Sequence, residues 1–107
     1  MTVWFVSRHA GAIEWARACS LAVDRWVPHL DADAVQDGDT VVGTLPIHLA
    51  AGVCARGARY LHLSLDMPAE QRGLELSAAD LTAAGARLDA FHIRLVTPEP
   101  GSSLATP

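Results

Sequence analysis

The segment TVWFVSRHAGAIEWA, residues 2–16, decides the fold class because its pattern changes from strand to helix within a few residues. The run Thr2–Ser7 is nearly continuously apolar, which is typical of a parallel strand covered on both faces. After the polar turn Arg8–Gly11, the apolar spacing of Ala12–Leu21 predicts an amphipathic helix. A strand followed at once by a helix is the repeating unit of a parallel sheet.

The same alternation continues along the rest of the chain. Further strands are predicted at Arg25–Leu30, Thr40–Gly43, Arg59–Leu65 and Leu88–Val96, and further helices at Ile47–Arg56 and after a capping box at Ser77 and Asp80. This pattern predicts an α/β fold, with residues 1–96 forming a single domain around a mainly parallel sheet of about five strands flanked by helices. Residues 97–107 are rich in Pro, Gly, Ser and Thr, so we expect a disordered C-terminal tail.

Local signals refine the ends of these elements. Pro28 has no backbone N–H to donate, so it predicts an edge position or an early end for the second strand. Thr44 or Leu45 is the expected N-cap of the second helix, with Pro46 as its first helical residue. Gly57 is expected to end that helix.

Composition narrows the class of protein. The chain has 107 residues, 50% of them hydrophobic, and a net charge of −4, which argues against a protein that wraps duplex DNA. It lacks an apolar run that could span a membrane and a secretory signal, so we expect a soluble, cytoplasmic protein. All eight basic residues are arginines, which excludes Schiff-base and Walker-type lysine chemistry. Cys19 and Cys54 are interpreted as buried free thiols of predicted helices.

The first candidate site follows the first strand. In open α/β sheets, ligands bind beyond the carboxyl ends of the strands. Ser7, Arg8 and His9 occupy that position, with Gly11 allowing the backbone to approach a ligand. A turn of this kind directs backbone N–H groups toward a phosphate, Arg8 adds a bidentate donor, and His9 can transfer a proton. The alternative is an ordinary polar loop in which Arg8 pairs with Glu14.

The second candidate site follows the third strand. Gly43, Thr44 and Leu45 precede a helix whose free N–H groups can hold a phosphate or ribose oxygen, and His48 lies within its first turn. The alternative is a plain helix cap with His48 facing solvent. Both clusters fall at carboxyl ends of strands, as a shared site requires.

Other residues carry weaker signals. Of three tryptophans, Trp15 is the candidate base-stacking platform because it follows the first cluster, although Trp4, Trp15 and Trp26 also suit the core. His62 and His92 are interpreted as structural, and His29 and Asp66 are left without a role. Asp31, Asp33, Asp37 and Asp39 are interpreted as a solvated loop. No metal or cofactor is expected, because metal-ligand, Walker and dinucleotide motifs are absent from the sequence.

Arg8-His9-Ala10-Gly11 also invites comparison with histidine phosphatases, which begin with a strand followed by Arg-His-Gly. Here Ala10 occupies the third position, and the further catalytic histidine and arginines of those enzymes have no evident counterpart. We therefore keep the phosphatase as a minor alternative.

Three motifs carry a closer resemblance. FVSRHAGAIEWA (residues 5–16), GDTVVGTLP (residues 38–46) and GARYLHL (residues 57–63) resemble, in this order, the Csx-sixteen family of CRISPR-associated proteins. The resemblance covers about residues 2–96. It implies a Rossmann-like, CARF-like fold and a place among the ancillary ring nucleases of type III CRISPR systems, which degrade cyclic tetra-adenylate.

The strand-end residues offer chemistry that fits this expectation. A ribose 2′-OH is the nucleophile, so neither metal nor cofactor is needed. Arg8 would bind the scissile phosphate, His9 would assist proton transfer, and Ser7 would orient one of these groups. Thr44 and His48 would position the neighbouring phosphate or ribose. A single small domain cannot enclose the ring, so we expect a homodimer with the ligand across its interface. A non-catalytic protein that sequesters the messenger and an accessory subunit of a CRISPR ribonucleoprotein are the alternatives.

Overall fold

The computed structural model describes residues 1–66 and 75–96, and within them five strands hydrogen-bond into one sheet. In chain order these are β1 (Val3–Val6), β2 (Arg25–Val27), β3 (Thr40–Gly43), β4 (Arg59–Ser64) and β5 (Arg87–Phe91). Their order across the sheet is β2-β1-β3-β4-β5, and only the β4–β5 pair is antiparallel. The prediction of a mainly parallel, five-stranded α/β domain is confirmed, and β2 lies at an edge as Pro28 indicated.

Three α-helices in the described residues cover this sheet. Helices α1 (Ala10–Ala18) and α3 (Ala78–Ala83) pack on one face, and α2 (Ile47–Ala55) packs on the other. Strand residues alternate between the two faces, so Trp4 is buried under α2 while Phe5 is buried under α1. Burying a large apolar side chain contributes about 1.5–3 kcal/mol, so these two layers supply most of the driving force for folding.

Several boundaries differ from the sequence prediction. Helix α1 begins at Ala10, before the predicted start at Ala12, and ends before the predicted Leu21 because Ser20 adopts a left-handed conformation with φ of 58°. Cys19 therefore follows the helix and is exposed, so the expectation of a buried thiol is wrong there, whereas Cys54 is buried as predicted. The last strand covers Arg87–Phe91, because the residues that follow leave the sheet.

The start of α2 also differs from the expectation. Pro46 is the N-cap, with extended ψ of 148°, and Ile47 is the first helical residue. Thr44 and Leu45 therefore belong to a turn that precedes the cap. Gly57 follows the helix with φ of 85°, as predicted for a glycine that ends a helix.

Asp39 is not part of a solvated loop, since only 4% of its surface is exposed. Its carboxylate accepts hydrogen bonds from the backbone N–H groups of Thr2 (2.9 Å) and Gln36 (3.0 Å) and from Trp4 Nε1 (3.2 Å). These donors, Gln36 first, hold the pKa of Asp39 below its ordinary value. Asp39 therefore ties together the amino ends of β1 and β3. The predicted tail, residues 97–107, lies outside the described residues.

Candidate functional site

The register of the sheet brings the two candidate clusters side by side. Val6 of β1 and Gly43 of β3 are paired neighbours, so Ser7 and Thr44 leave the sheet from adjacent parallel strands. Such strands lie about 4.8 Å apart. A β-carbon on Gly43 would come 2.7 Å from the carbonyl oxygen of Val6, so this close passage requires glycine. The predicted meeting of the two strand ends is confirmed.

A cleft opens where these strands end, on the face covered by α1 and α3. Ser7, His9, Gly43 and Thr44 supply its polar surface, and its apolar surface comes from Phe5, Val6, Ala12, Leu63, Leu65, Leu76 and Leu81. Its volume is about 190 Å³. No Asp or Glu is among the described residues that line it. The cleft therefore offers polar donors to an anion over an apolar floor.

Two helices begin at this edge without a side-chain cap. His9 is the N-cap of α1 and Pro46 that of α2, and neither side chain accepts a hydrogen bond from its helix. The first N–H groups of a helix have no intrahelical acceptor, and they carry a partial positive charge. Both helix starts can therefore donate to a bound anion.

Ser7 shapes the turn between β1 and α1. Its Oγ accepts a hydrogen bond from the backbone N–H of His9 at 3.0 Å, and its own N–H donates to the carbonyl of Val27. These bonds fix the backbone path from strand to helix. The His9 side chain is exposed and lines the cleft, so its imidazole is available to a ligand.

Arg8 lies in a groove that adjoins the cleft on the side of β2. The groove shares Phe5 and Ser7 with the cleft, and Trp26 and Pro28 form its other wall. Arg8 is exposed and makes no salt bridge to Glu14 or to another residue within residues 1–66 and 75–96. The alternative in which Arg8 pairs with Glu14 is therefore wrong, and among the described residues no carboxylate occupies its guanidinium.

Gly11 has a different role from the one expected. It is buried, and a β-carbon there would collide with the backbone carbonyl oxygen of Leu76, in the segment before α3. The glycine therefore allows α1 to pack closely against that segment, rather than allowing a ligand to approach.

Trp15, Leu45 and His48, which were also predicted as site residues, lie outside the cleft. Trp15 packs in the core with 7% of its surface exposed. Leu45 lines a recess on the opposite face with Tyr60, His62 and Phe91. His48 is exposed and lines a groove along α2 with His92 and Leu95. The expectation that Trp15 and His48 face the same crevice as Ser7 and His9 is therefore wrong within one chain.

Sequence reasoning missed two residues near the site. Trp26 borders the Arg8 groove because its strand neighbour is Phe5 of β1, whereas Trp15 was preferred for its nearness along the chain. Tyr60 was not singled out, yet its hydroxyl contacts the backbone of the Gly43–Leu45 turn. Burial raises the pKa of Tyr60, with the Leu45 N–H opposing the shift, so the hydroxyl keeps its proton at neutral pH. The alternation of side chains along β4 could have indicated Tyr60 as a candidate, because it places Tyr60 and His62 on the same face of the strand.

The structure also bears on metal ligands and membrane helices. In the described part of the chain, His, Cys, Asp and Glu side chains form no group of three or more that could hold a metal ion. Across residues 1–66 and 75–96, no helix is both long and apolar enough to cross a membrane.

Comparison with known proteins identifies the family. Residues 4–94, which include both strand-end turns and every strand except the first residue of β1, match the family model described as “Putative CRISPR-associated protein (Cas_VVA1548)”. The chain belongs to this CRISPR-associated family. Neither a curated protein nor a solved structure matches it. In this member of the Cas_VVA1548 family, Ser7, His9, Gly43 and Thr44 share one cleft, and Arg8 borders it.

Proposed function

We propose that this CRISPR-associated protein is a ring nuclease of the Csx-sixteen type, which cleaves cyclic tetra-adenylate to linear di-adenylates and so ends type III CRISPR signalling in the cytoplasm. The observation that carries this proposal is the cleft at the ends of β1 and β3, where Ser7, His9 and Thr44 meet beside the uncapped start of α1, with no carboxylate among the described residues that line it. The uncapped start of α2 follows Thr44 by two residues. Uncapped helix starts are suited to phosphate oxygens, and the messenger is a ring of phosphodiesters.

The proposed reaction needs no external nucleophile. The ribose 2′-oxygen attacks the adjacent phosphorus, the bond from phosphorus to the 5′-oxygen breaks, and the 5′-oxygen leaves as a hydroxyl. The 2′-proton goes to a base and a proton reaches the leaving oxygen, so charge is conserved. Two such cleavages on opposite sides of the ring give two di-adenylates ending in 2′,3′-cyclic phosphates.

The geometry suggests a division of labour. His9 lines the cleft and is exposed, so it can exchange protons with the 2′-OH or the leaving oxygen. Arg8 reaches the same phosphate from the adjoining groove and stabilises charge on its oxygens. Ser7 holds the turn that presents both side chains. Thr44, on the neighbouring strand end, would bind the next phosphate or a ribose hydroxyl.

The size of the cleft supports a homodimer. Pockets that bury small ligands have volumes of about 300–1,000 Å³, and cyclic tetra-adenylate is larger than such ligands. One cleft of about 190 Å³ cannot enclose it. We propose that two chains share the ring, so that each supplies one set of Ser7, Arg8, His9 and Thr44.

The surface along α2 is a suitable interface for the second copy. Apart from Met1, the exposed large apolar side chains of the described residues are Ile47, Phe91, Leu95 and Val96. Ile47 begins α2, Phe91 ends β5, and Leu95 and Val96 come after it. A groove of about 720 Å³ is lined by Ile47, Leu95 and Val96. Ile47 is three residues after Thr44, so pairing of two such surfaces would bring the two Thr44 turns close together. It would also bring His48 of each chain into the interface.

A turnover assay tests the proposed function. Purified protein is incubated with EDTA and a large excess of labelled cyclic tetra-adenylate. We expect many ring equivalents to be converted to di-adenylate per protein, because the reaction needs no metal. Protection of one ring per dimer without conversion would instead identify a sequestering protein. Absence of both conversion and binding, with co-purification on a CRISPR ribonucleoprotein, would identify an accessory subunit.

A further inference from the structure

The side chain of Tyr60 reaches the turn that carries Thr44 from the opposite face of the sheet. Tyr60 lies on β4, with 2% of its surface exposed. Its hydroxyl accepts a hydrogen bond from the backbone N–H of Leu45 at 2.9 Å and lies 3.2 Å from the carbonyl oxygen of Gly43. These two backbone groups flank Thr44. One phenol therefore holds the turn on both sides of the residue that enters the cleft.

The turn has no helix cap to hold it. Pro46 follows Leu45 and is the N-cap of α2, but proline has neither a capping side chain nor a backbone N–H. The Leu45 N–H does not belong to the hydrogen bonds of β3 or α2, and Tyr60 is the acceptor that the structure gives it. The position of Thr44 therefore depends on the Tyr60 hydroxyl.

His62 orients that hydroxyl. Its Nδ1 lies 2.6 Å from the Tyr60 oxygen, and both residues are on the same face of β4. The hydroxyl has one proton, which it donates to the carbonyl of Gly43. In the tautomer that carries a proton on Nδ1, His62 donates to the phenol oxygen, and a lone pair of that oxygen accepts from the Leu45 N–H, so both backbone contacts form at once. The His62 ring is in turn held edge-on by Phe91, at 5.9 Å between centroids.

We infer that Tyr60 is a positioning residue that fixes the Gly43–Leu45 turn and thereby Thr44, and that His62 acts through it by orienting its hydroxyl. The consequence for ligand binding rests on the proposed function, because Thr44 is placed there on the neighbouring phosphate or ribose of the adenylate ring. The inference gives a role to His62, which the sequence indicated only as a residue of a strand face.

Amide hydrogen exchange tests the contact without a ligand. Tyr60→Phe should speed exchange of the Leu45 amide about tenfold, as expected for loss of one buried hydrogen bond. The Thr40 amide, bonded to the Thr2 carbonyl at the other end of the sheet, should exchange at the wild-type rate and reports global stability. Thr82→Val, which removes a hydroxyl bonded to Ala78 in α3, is the matched control and should leave Leu45 unchanged.

Two variants of His62 separate orientation from packing. His62→Asn keeps a side-chain N–H donor near the position of Nδ1, so Leu45 should exchange nearly as in the wild type. His62→Leu removes that donor, so the hydroxyl is no longer held in this orientation and Leu45 should exchange faster. If the two variants speed it equally, His62 does not orient the hydroxyl, and that part of the inference is overturned.

Kinetics then connect the turn to the ligand. For cyclic tetra-adenylate, Tyr60→Phe should raise KM about tenfold and change kcat less, because the turn binds the ring and does not transfer the proton. An unchanged Leu45 exchange rate in Tyr60→Phe overturns the inference whatever happens to turnover. Faster Leu45 exchange together with a wild-type KM in Tyr60→Phe overturns the inferred effect of the turn on ligand binding. A wild-type protein that neither binds nor cleaves the ring refutes the proposed function alone, and faster Leu45 exchange would still support the Tyr60 contact.

Discussion

Helix α3 begins with a side-chain cap, whereas α1 and α2, which follow the ends of β1 and β3, begin without one. At α3, Ser77 Oγ accepts from the Asp80 N–H and the Asp80 carboxylate accepts from the Ser77 N–H, which completes a capping box. At α1 and α2, the N-cap residues His9 and Pro46 provide no such bond. The segment before α3 reaches the same cleft through Leu76, so position in the fold does not explain the difference.

The difference shows which helix starts are available to a ligand. A capping side chain occupies the N–H groups that would otherwise bind an anion, and it contributes stability in exchange. The capping box of α3 satisfies N–H donors at the start of that helix, so this start contributes to stability. The starts of α1 and α2 leave donors free beside Ser7 and Thr44, which is the arrangement that a phosphate site requires.

Capping α1 should have the largest effect. His9→Asp supplies a capping carboxylate, so we expect stability to rise by up to about 1 kcal/mol. Turnover of cyclic tetra-adenylate should fall at least about 100-fold, because the proposed proton-transfer group is lost and a negative charge is placed in the proposed anion site. Denaturant titration and the turnover assay measure the two effects.

His9→Asn is the matched control for charge. Asparagine caps a helix about as well as aspartate but is neutral, so this variant should lose turnover while binding the ring more tightly than His9→Asp. Wild-type affinity in the Asp variant would contradict the placement of a phosphate at the start of α1.

Arg8→Ala should have the next largest effect. Removing the guanidinium that we propose stabilises phosphate charge should lower kcat/KM about 100-fold. The melting temperature should change little, because Arg8 is exposed and contributes nothing to the core. Arg25→Ala is the control, since Arg25 stacks over Trp4, which is buried on the face of the sheet covered by α2. Equal activity of Arg8→Ala and Arg25→Ala would exclude Arg8 from the site.

The sequence predicted the fold well because the decisive signals are local. Each of these signals acts over a few residues and lies where it was expected. They are the apolar runs at Val3–Val6 and Thr40–Gly43, the turn glycine Gly57 and the capping box at Ser77. The antiparallel direction of β5 was not predicted, because nothing within Arg87–Phe91 specifies the direction of pairing.

The site was predicted only in part because strand ends indicate an edge of the sheet, but not the face. Ser7, His9 and Thr44 meet as expected. His48 and Leu45 were assigned to the same crevice, yet α2 packs on the opposite face of the sheet. His48 lines a groove along that helix, and Leu45 lines a recess on that face. The positions of Trp26 and Tyr60 next to the site depend on the register between strands that are distant along the chain, and a single sequence does not reveal that register.

Asp39 lies at the opposite edge of the sheet, where, as at the start of α3, a carboxylate occupies the nearby N–H donors. Asp39→Asn replaces one carboxylate oxygen with an amide nitrogen, which cannot accept a hydrogen bond, so it should lower the melting temperature without changing ring affinity. In the wild type, the folded pKa of Asp39 is below its ordinary value of 3.8. Its contribution to stability is therefore present above pH 3.8 and is lost as pH falls through the folded pKa. Melting curves that show the same acid dependence in Asp39→Asn would contradict this role.

Removing the cap of α3 should have the smallest effect. Ser77→Ala should cost about 1 kcal/mol of stability, because the Asp80 N–H loses its acceptor. The Ser77 donor holds the pKa of Asp80 below its ordinary value, so the capping box also weakens as pH falls through the folded pKa of Asp80. Affinity for the ring, measured by calorimetry, should be unchanged. A loss of affinity as large as that of Arg8→Ala would show that α3 belongs to the site.

The most direct test follows backbone amide resonances while a ring of 2′-deoxyadenylate is added. This ring has the phosphates of the messenger but lacks the nucleophilic 2′-OH, so it stays intact. We predict that the amides of residues 7–11, 43–45 and 47 shift with saturation, whereas those of residues 77–80 do not. If saturating ligand leaves both uncapped helix starts unshifted, the cleft does not bind the phosphates of an adenylate ring.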